Sequence, residues 1–192
     1  MRHALGRFVV VLTFLAIILV GRPASPTVVI PLTFDEIVDA AGVILVGETV
    51  ATSARWVDSP GGRLIMTSVT YRVLETLKGQ AGPETTLEFL GGQIGEDRLE
   101  VSGMPEFTVG DRDVLFVGNR AAISPLIGFA FGRFRIGYDP LTGTDVVRMF
   151  DGRSLSAVAA IGRPPDATTG PASAMSLAAF RAAVVDRLRN RR

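Results

Sequence analysis

Apolar positions along the chain follow two rhythms, one helical and one alternating, and the change between them marks the elements. In Leu32–Gly42, Phe34, Ile37, Val38 and Ala41 recur at i, i+3, i+4 and i+7, one face of a helix. Thr33 stands where an N-cap belongs, with Glu36 three residues on as the second half of a capping box. Leu32 and Ile37 have the spacing of a hydrophobic staple around that cap, and Gly42 is placed to supply a left-handed stop. From Val43 the rhythm changes. Val43–Trp56 begins as a continuous apolar run and alternates after Gly47, a glycine that predicts a bulge or a sharp bend, as at a barrel corner. Leu64–Leu77 is a second strand, with Val69, Tyr71 and Val73 on one side and Ser68, Thr70 and Arg72 on the other. The turn Asp58–Gly62 joins the two into a long hairpin, and the rest of the chain is organised around it.

Thr85–Leu90, Leu99–Val101 and Asp113–Val117 read as three further strands. Phe131–Tyr138 and Thr144–Phe150 form a hairpin about the loop Asp139–Gly143. A stretch rich in proline, glycine and threonine follows, and then a helix over Ser176–Arg189 with Leu177, Phe180, Val184 and Leu188 on one face. Arginines at its C-terminal end suit the helix dipole. Many short strands with glycine-rich turns, and helices only at the ends, make the chain mainly β. An open sheet of so many strands would expose its edges. The pattern therefore predicts a small closed OB-like β-barrel with a short N-terminal capping helix, an additional C-terminal hairpin and a terminal α-helix. The expected organisation is a leader over residues 1–24, an extended tether over 25–31 and the barrel domain with its hairpin over 32–160. A linker over 161–175 and an amphipathic helix over 176–192 complete it.

The leader changes the picture most. Arg2 and Arg7 precede an apolar run, Phe8–Val20, broken only by Thr13, the layout of a secretory signal peptide. Cutting after Ala24 would leave Arg22 three residues before the cut, an awkward residue there, so an uncleaved N-terminal membrane anchor is the alternative. Both place the domain outside the cytoplasm, secreted or in the cell envelope. Membrane contact is expected only through residues 8–20, and only if the leader is retained.

Of 192 residues, 47% are hydrophobic, enough for a real core. Three of the 20 basic residues, Arg2, Arg7 and Arg22, lie in or beside the leader, and all 19 acidic ones lie after it. The exported part is thus slightly acidic and lacks the electrostatic footprint of a nucleic-acid binder. There is no cysteine, so disulfides, thiol chemistry and a lipidated anchor are excluded. The only histidine, His3, lies in the leader, which removes Ser-His catalysis and histidine-ligated zinc from the folded part. The lone lysine, Lys78, has Glu75 three residues before it, so no Ser-x-x-Lys pair exists. Gly91, Gly92 and Gly95 are not followed by the Lys-Ser/Thr of a phosphate loop.

Three stretches carry a family resemblance: Ala41-x-Val43-Ile-Leu-Val-Gly47-Glu, Tyr71-x-Val73-Leu-x-x-Leu77-Lys78-Gly79, and Phe107-x-x-Gly110-Asp-x-Asp-Val114-Leu-Phe-Val117. Together they resemble the netrin-like module, the OB-type barrel of the tissue inhibitors of metalloproteinases. They also resemble a class of uncharacterised bacterial exported proteins. The netrin-like likeness spans roughly Val43–Val117. It implies a fold and a habit of binding proteins or peptides, with a secreted protease as one partner class. In those inhibitors an N-terminal, disulfide-held cysteine reaches the protease zinc; here no cysteine exists, so no inhibitory residue carries over.

What chemistry remains is acidic or aromatic. Glu96 and Asp97, with Glu100 and Glu106, could pair carboxylates or hold calcium through hard oxygens, and so could Asp139 with Asp145. Solvated loops and turn chemistry are the preferred reading of both groups, and of Asp111 and Asp113. Trp56, Phe129 and Phe131 are the candidate partner-binding residues; Trp56 and Tyr71 could alternatively stack bases in an OB groove. The leading expectation is a non-enzymatic exported domain, without cofactor or metal, that binds a protein or peptide. A carboxylate-based or calcium-dependent hydrolase, built on Glu96, Asp97, Asp111 or Asp113 in one concave site, is the first alternative. A structural envelope protein held by its N-terminal helix is the second.

Overall fold

The computed structural model describes residues 32–119, 123–163 and 173–190. The leader and tether lie outside the described residues, as does much of the expected linker. Helix α1 spans Phe34–Ala40 and opens on the predicted capping box: Thr33 N donates to Glu36 Oε2 at 2.8 Å, and Glu36 N donates to Thr33 Oγ1 at 3.4 Å. The Thr33 N–H and the Thr33 hydroxyl, each donating to Glu36 Oε2 at 2.8 Å, lower the Glu36 pKa. The C-terminal stop differs from expectation. Ala41 ends the helix in extended conformation, and no left-handed residue is used there. Instead Lys78, arriving from the adjoining strand, donates its ammonium to the carbonyls of Val38, Asp39 and Ala41. A cation on these terminal carbonyls satisfies orphan acceptors and opposes the helix dipole. Gly42 serves close approach: a Cβ there would lie 1.7 Å from Asn119 Oδ1, while its N–H donates to Val117 O at 2.8 Å.

Strands β1 (Val43–Ser59) and β2 (Gly62–Lys78), 17 residues each, form the expected hairpin about Pro60–Gly61. Then come β3 (Glu84–Leu90), the short pair β4 (Gly92–Ile94) and β5 (Asp97–Leu99), β6 (Arg112–Val117), β7 (Arg133–Asp139) and β8 (Thr144–Arg148). A 3-10 turn, Phe129–Gly132, leads into β7, and α2 (Leu177–Arg189) closes the described chain behind a Ser176 cap. The fourth strand, expected at Leu99–Val101, is instead the β4–β5 hairpin.

The barrel does not close. The main sheet is antiparallel and open, in the order β3-β2-β1-β6-β7-β8, with β3 and β8 at its two margins. Gly47 does sit at a register irregularity between β1 and β2, with others at Ile44/Leu45 and Thr49/Ala51, but these bend the strands without joining the margins. The reason lies at β8. Val147 N donates to Met175 O and Met149 N to Arg153 O, and bridges join Val146 to Ser176 and Arg148 to Ser154. With that edge covered by the chain's own later segments, nothing is left for β3 to pair with.

Each face of the sheet carries its own core. On one face Ile44, Val46, Val114, Phe116, Phe134 and Val147 pack against Phe34, Ile37 and Val38 of α1 and Phe180 and Val184 of α2. Phe180 contacts three other rings, Phe34, Phe116 and Phe134, at centroid distances of 5.8, 6.3 and 5.0 Å. Arginines of α2 reach back to α1 and β2, Arg187 to Asp39 and Arg181 to Glu75, both at 2.5 Å. On the other face Leu45, Val69, Tyr71, Leu87, Phe89 and Leu115 are covered by Met104 and Phe107 of the loop between β5 and β6.

Candidate functional site

The concave surface worth building is a groove of about 950 Å³ between that loop and the distal half of the β1–β2 hairpin. Its floor is Thr52 and Ala54 of β1, Thr67 of β2 and Phe89 of β3. Its walls are Gly91–Gln93 and the loop from Val101 to Thr108. Strand alternation puts Thr52, Ala54 and Trp56 on this face, because the irregularity at Thr49/Ala51 shifts the parity of β1. Of the charged lining, Arg98 pairs with Glu100 at 2.7 Å and with Glu106 at 3.5 Å, which leaves one negative charge over.

One arginine holds the loop in place. The β6–β7 register sets Asp113 opposite Arg135 and Leu115 opposite Arg133, so all four share the face of Tyr71 and Leu45. Arg133 is only 3% exposed, yet its guanidinium meets partners from several directions. Its Nη2 lies 3.0 Å from Asp111 Oδ2, its Nη1 donates to Glu106 O, and its Nε lies 2.9 Å from Asp113 Oδ1. This last contact is an ion pair by distance, but its N–H is not aimed along the line, so no hydrogen bond forms. The guanidinium also sits 4.6 Å from the Phe107 ring centroid, a cation–π contact. Phe107 in turn packs on Phe89 at 4.5 Å and edge-on to Tyr71 at 6.3 Å.

The electrostatics follow from burial. Asp113 is fully buried, and the loss of solvation raises its pKa further than Arg133 lowers it. For Arg133 burial disfavours the charge, but the carboxylates of Asp113 and Asp111 outweigh it, and its pKa is raised. Burial, with Asp113 adding to it, drives the Tyr71 phenol far above its ordinary value, so it stays neutral. Thr49 stands directly opposite Tyr71 in the hairpin register. Both hydroxyls and both Asp113 oxygens lack a hydrogen-bond partner among the described residues. Buried polar groups in this state are usually served by internal water. The cluster is a clamp for the loop, closed to substrate.

The acidic residues considered for catalysis or calcium do not converge. Glu96 and Asp97 are exposed at the β4–β5 turn, whereas Asp113 is fully buried. Asp139 spends its carboxylate on its own turn, accepting from Leu141 N and Thr142 Oγ1, each at 3.0 Å, and Asp145 pairs with Arg112. Among the described residues no group of three acidic or histidine side chains is arranged to hold a metal.

The chain matches no protein-family model, no curated protein and no solved structure.

Of the candidate partner-binding residues, Trp56 lies on the groove face of β1, half-buried beneath the Arg63 guanidinium at 4.6 Å. Phe129 is 41% exposed and, with φ at +62°, occupies a backbone region unusual for a bulky residue. Phe131 packs against Phe150 at 5.1 Å. Among the described residues no ring contact joins Trp56 to the other two. Tyr71 is buried and unable to stack a base. The loop wall of the groove has no periodic pattern, so the sequence does not reveal it. Asp113, a charge at the head of the run Asp-Val-Leu-Phe-Val, is the one available signal of the clamp.

Proposed function

We propose that this chain is an exported, non-enzymatic domain that binds a segment of another protein in the groove beside the β1–β2 hairpin. The observation that carries this reading is the groove itself. At about 950 Å³ it has the size of a genuine binding cleft. Its lining mixes apolar Phe89, Met104 and Phe107 with hydroxyl and amide groups from Thr52, Thr67 and Gln93. Its loop wall is held rigid by Arg133, so little ordering entropy is lost on binding. The leader supports a site of action outside the cytoplasmic membrane. The netrin-like motifs agree with a binding role, though the reading does not depend on them.

A photo-crosslinking amino acid at Gln93, in the full chain exported by its own leader, tests this. The expected result is one saturable protein adduct, lost when Thr52→Arg fills the groove. An absence of adduct, or an adduct indifferent to Thr52→Arg, refutes the reading.

A further inference from the structure

Strand β1 is only half used. Its β6 side is paired from Val43 to Glu48, and Thr49 adds two bonds, donating to Asp111 O and accepting from Gly110 N. Beyond that point β6 has no counterpart, yet β1 runs on to Ser59, paired with β2 alone. The turn at Pro60–Gly61 makes Ser59 and Gly62 a closing pair, and the register back to Ala51 is unbroken. Antiparallel alternation from that pair points the N–H and C=O groups of Thr52, Ala54, Trp56 and Asp58 away from β2. Among the described residues none of these groups has a backbone partner.

The other margins are treated differently. The β8 edge is covered by residues 153–155 and 175–176. The β3 edge begins after Pro83 and is capped where Leu90 N donates to Ile123 O. A proline and a covering segment are usual protections of an edge. The open stretch of β1 carries the charges of Arg55 and Asp58 but, among the described residues, neither of those protections, and it borders the groove through Thr52, Ser53 and Ala54.

We infer that the open edge of β1, with the groove beside it, captures an extended segment of a partner protein by strand addition. The inference rests on the reading of the groove as a polypeptide site and specifies how that site works. The incoming strand takes the place a longer β6 would have had. Alternate side chains enter the groove beneath Pro105–Thr108, and the others lie beside Ser53 and Arg55. Because Arg98 is shared by Glu100 and Glu106, the charged lining keeps one negative charge, and the groove disfavours acidic side chains while Thr52, Ala54 and Thr67 on its floor suit small or β-branched ones at the inward positions. A second copy of this chain fits less well. Pairing two β1 edges about residue 55 sets Arg55 against Arg55, a like-charge pair only partly offset by Glu88, 2.7 Å from each arginine within its own chain. The second β1 would also bring its own Gly92 strand, which crowds Thr67 and Ala54 on this same face.

The test selects random dodecapeptides displayed on phage against the full chain, then follows amide exchange with the enriched synthetic peptide. Strand addition slows exchange at Thr52, Ala54, Trp56 and Asp58, while Ser53 and Arg55, already bonded to β2, do not change. Ala54→Pro, which removes an outward N–H without taking a bond from the β1–β2 ladder, weakens binding about tenfold or more. Methylating the peptide amides that face β1 does the same without altering the protein. If peptides bind with shifts at Gln93 and Met104 but no protection on β1, and methylation has no effect, strand addition is wrong and the groove reading survives. If no peptide enriches, both fail. If the four amides become protected with concentration alone, alongside dimer formation, the occupant is a second copy and the inference falls.

Discussion

Replacing Arg133 with methionine removes the clamp's charge while keeping a side chain of similar length, and its consequence can be worked out from the structure. Asp113 would be left fully buried, both oxygens without a hydrogen bond and the 2.9 Å ion pair gone. Breaking a buried pair from one side costs about 3–5 kcal/mol, most of it from the stranded charge. Glu106 O and the Phe107 ring lose their partner as well. Against a total stability of ~5–15 kcal/mol this is a large fraction. With a urea dependence of ~2 kcal/mol per molar, the midpoint at pH 7 should fall by roughly 2 M. The stranded carboxyl supplies a second signature. Its folded-state pKa, already raised, rises further, so the folded state takes up a proton that the unfolded state releases. The variant should therefore regain stability as pH falls toward the ordinary aspartate range, and lose it as pH rises through the raised value. Adding Asp113→Asn should rescue much of the deficit at pH 7. Urea curves at pH 5 and pH 7 for both variants decide the matter. A loss under ~1 kcal/mol, or one that neither pH nor the second substitution changes, would show that Arg133 does not hold a buried charge.

In the wild-type protein the Asp113 pKa is raised mainly by burial. Stability from this group is thus full below the ordinary aspartate range and declines as pH rises above it; Asp113→Asn should flatten that part of the urea-midpoint profile. Phe180→Ala should cost about 3–5 kcal/mol, seen as a lower Tm, since the ring is fully buried against three others. Gly132→Ala should destabilise by ~1–3 kcal/mol in the same measurement. Its Cβ would sit 2.8 Å from Ile127 O, 2.9 Å from Ile127 N and 3.0 Å from Phe116 O, and backbone cannot step aside as a side chain can. Lys78→Met should cost ~1.5–3 kcal/mol and speed amide exchange in α1, whose terminal carbonyls would lose their donor.

Most individual elements were legible in the sequence because each is specified locally. The Thr33–Glu36 box, the alternation of Val69, Tyr71 and Val73 against Ser68, Thr70 and Arg72, and the stripe through Phe180 and Val184 all appear as read. The closed barrel failed for a non-local reason. Whether β3 meets β8 depends on what covers β8, and the covering segments around Ser154 and Met175 carry no strand rhythm. The site was harder still. Arg133 and Arg135 alternate with Phe134 and Ile136, a pattern that marks them as solvent-facing, yet a loop closes over Arg133 and buries it. In the sequence Lys78 is a lone lysine with no Ser-x-x-Lys partner; only the return of β2 to α1 gives it three carbonyls to cap.

That placement of Lys78 has a practical side. It is the only lysine in the sequence, and its amine is half-buried and engaged at the end of α1. Reagents that acylate lysine, and proteases that cut after it, therefore meet one guarded target in the whole folded domain. Its rate of modification becomes a built-in gauge of how often the first helix lifts from the sheet, readable by mass spectrometry without any engineered label.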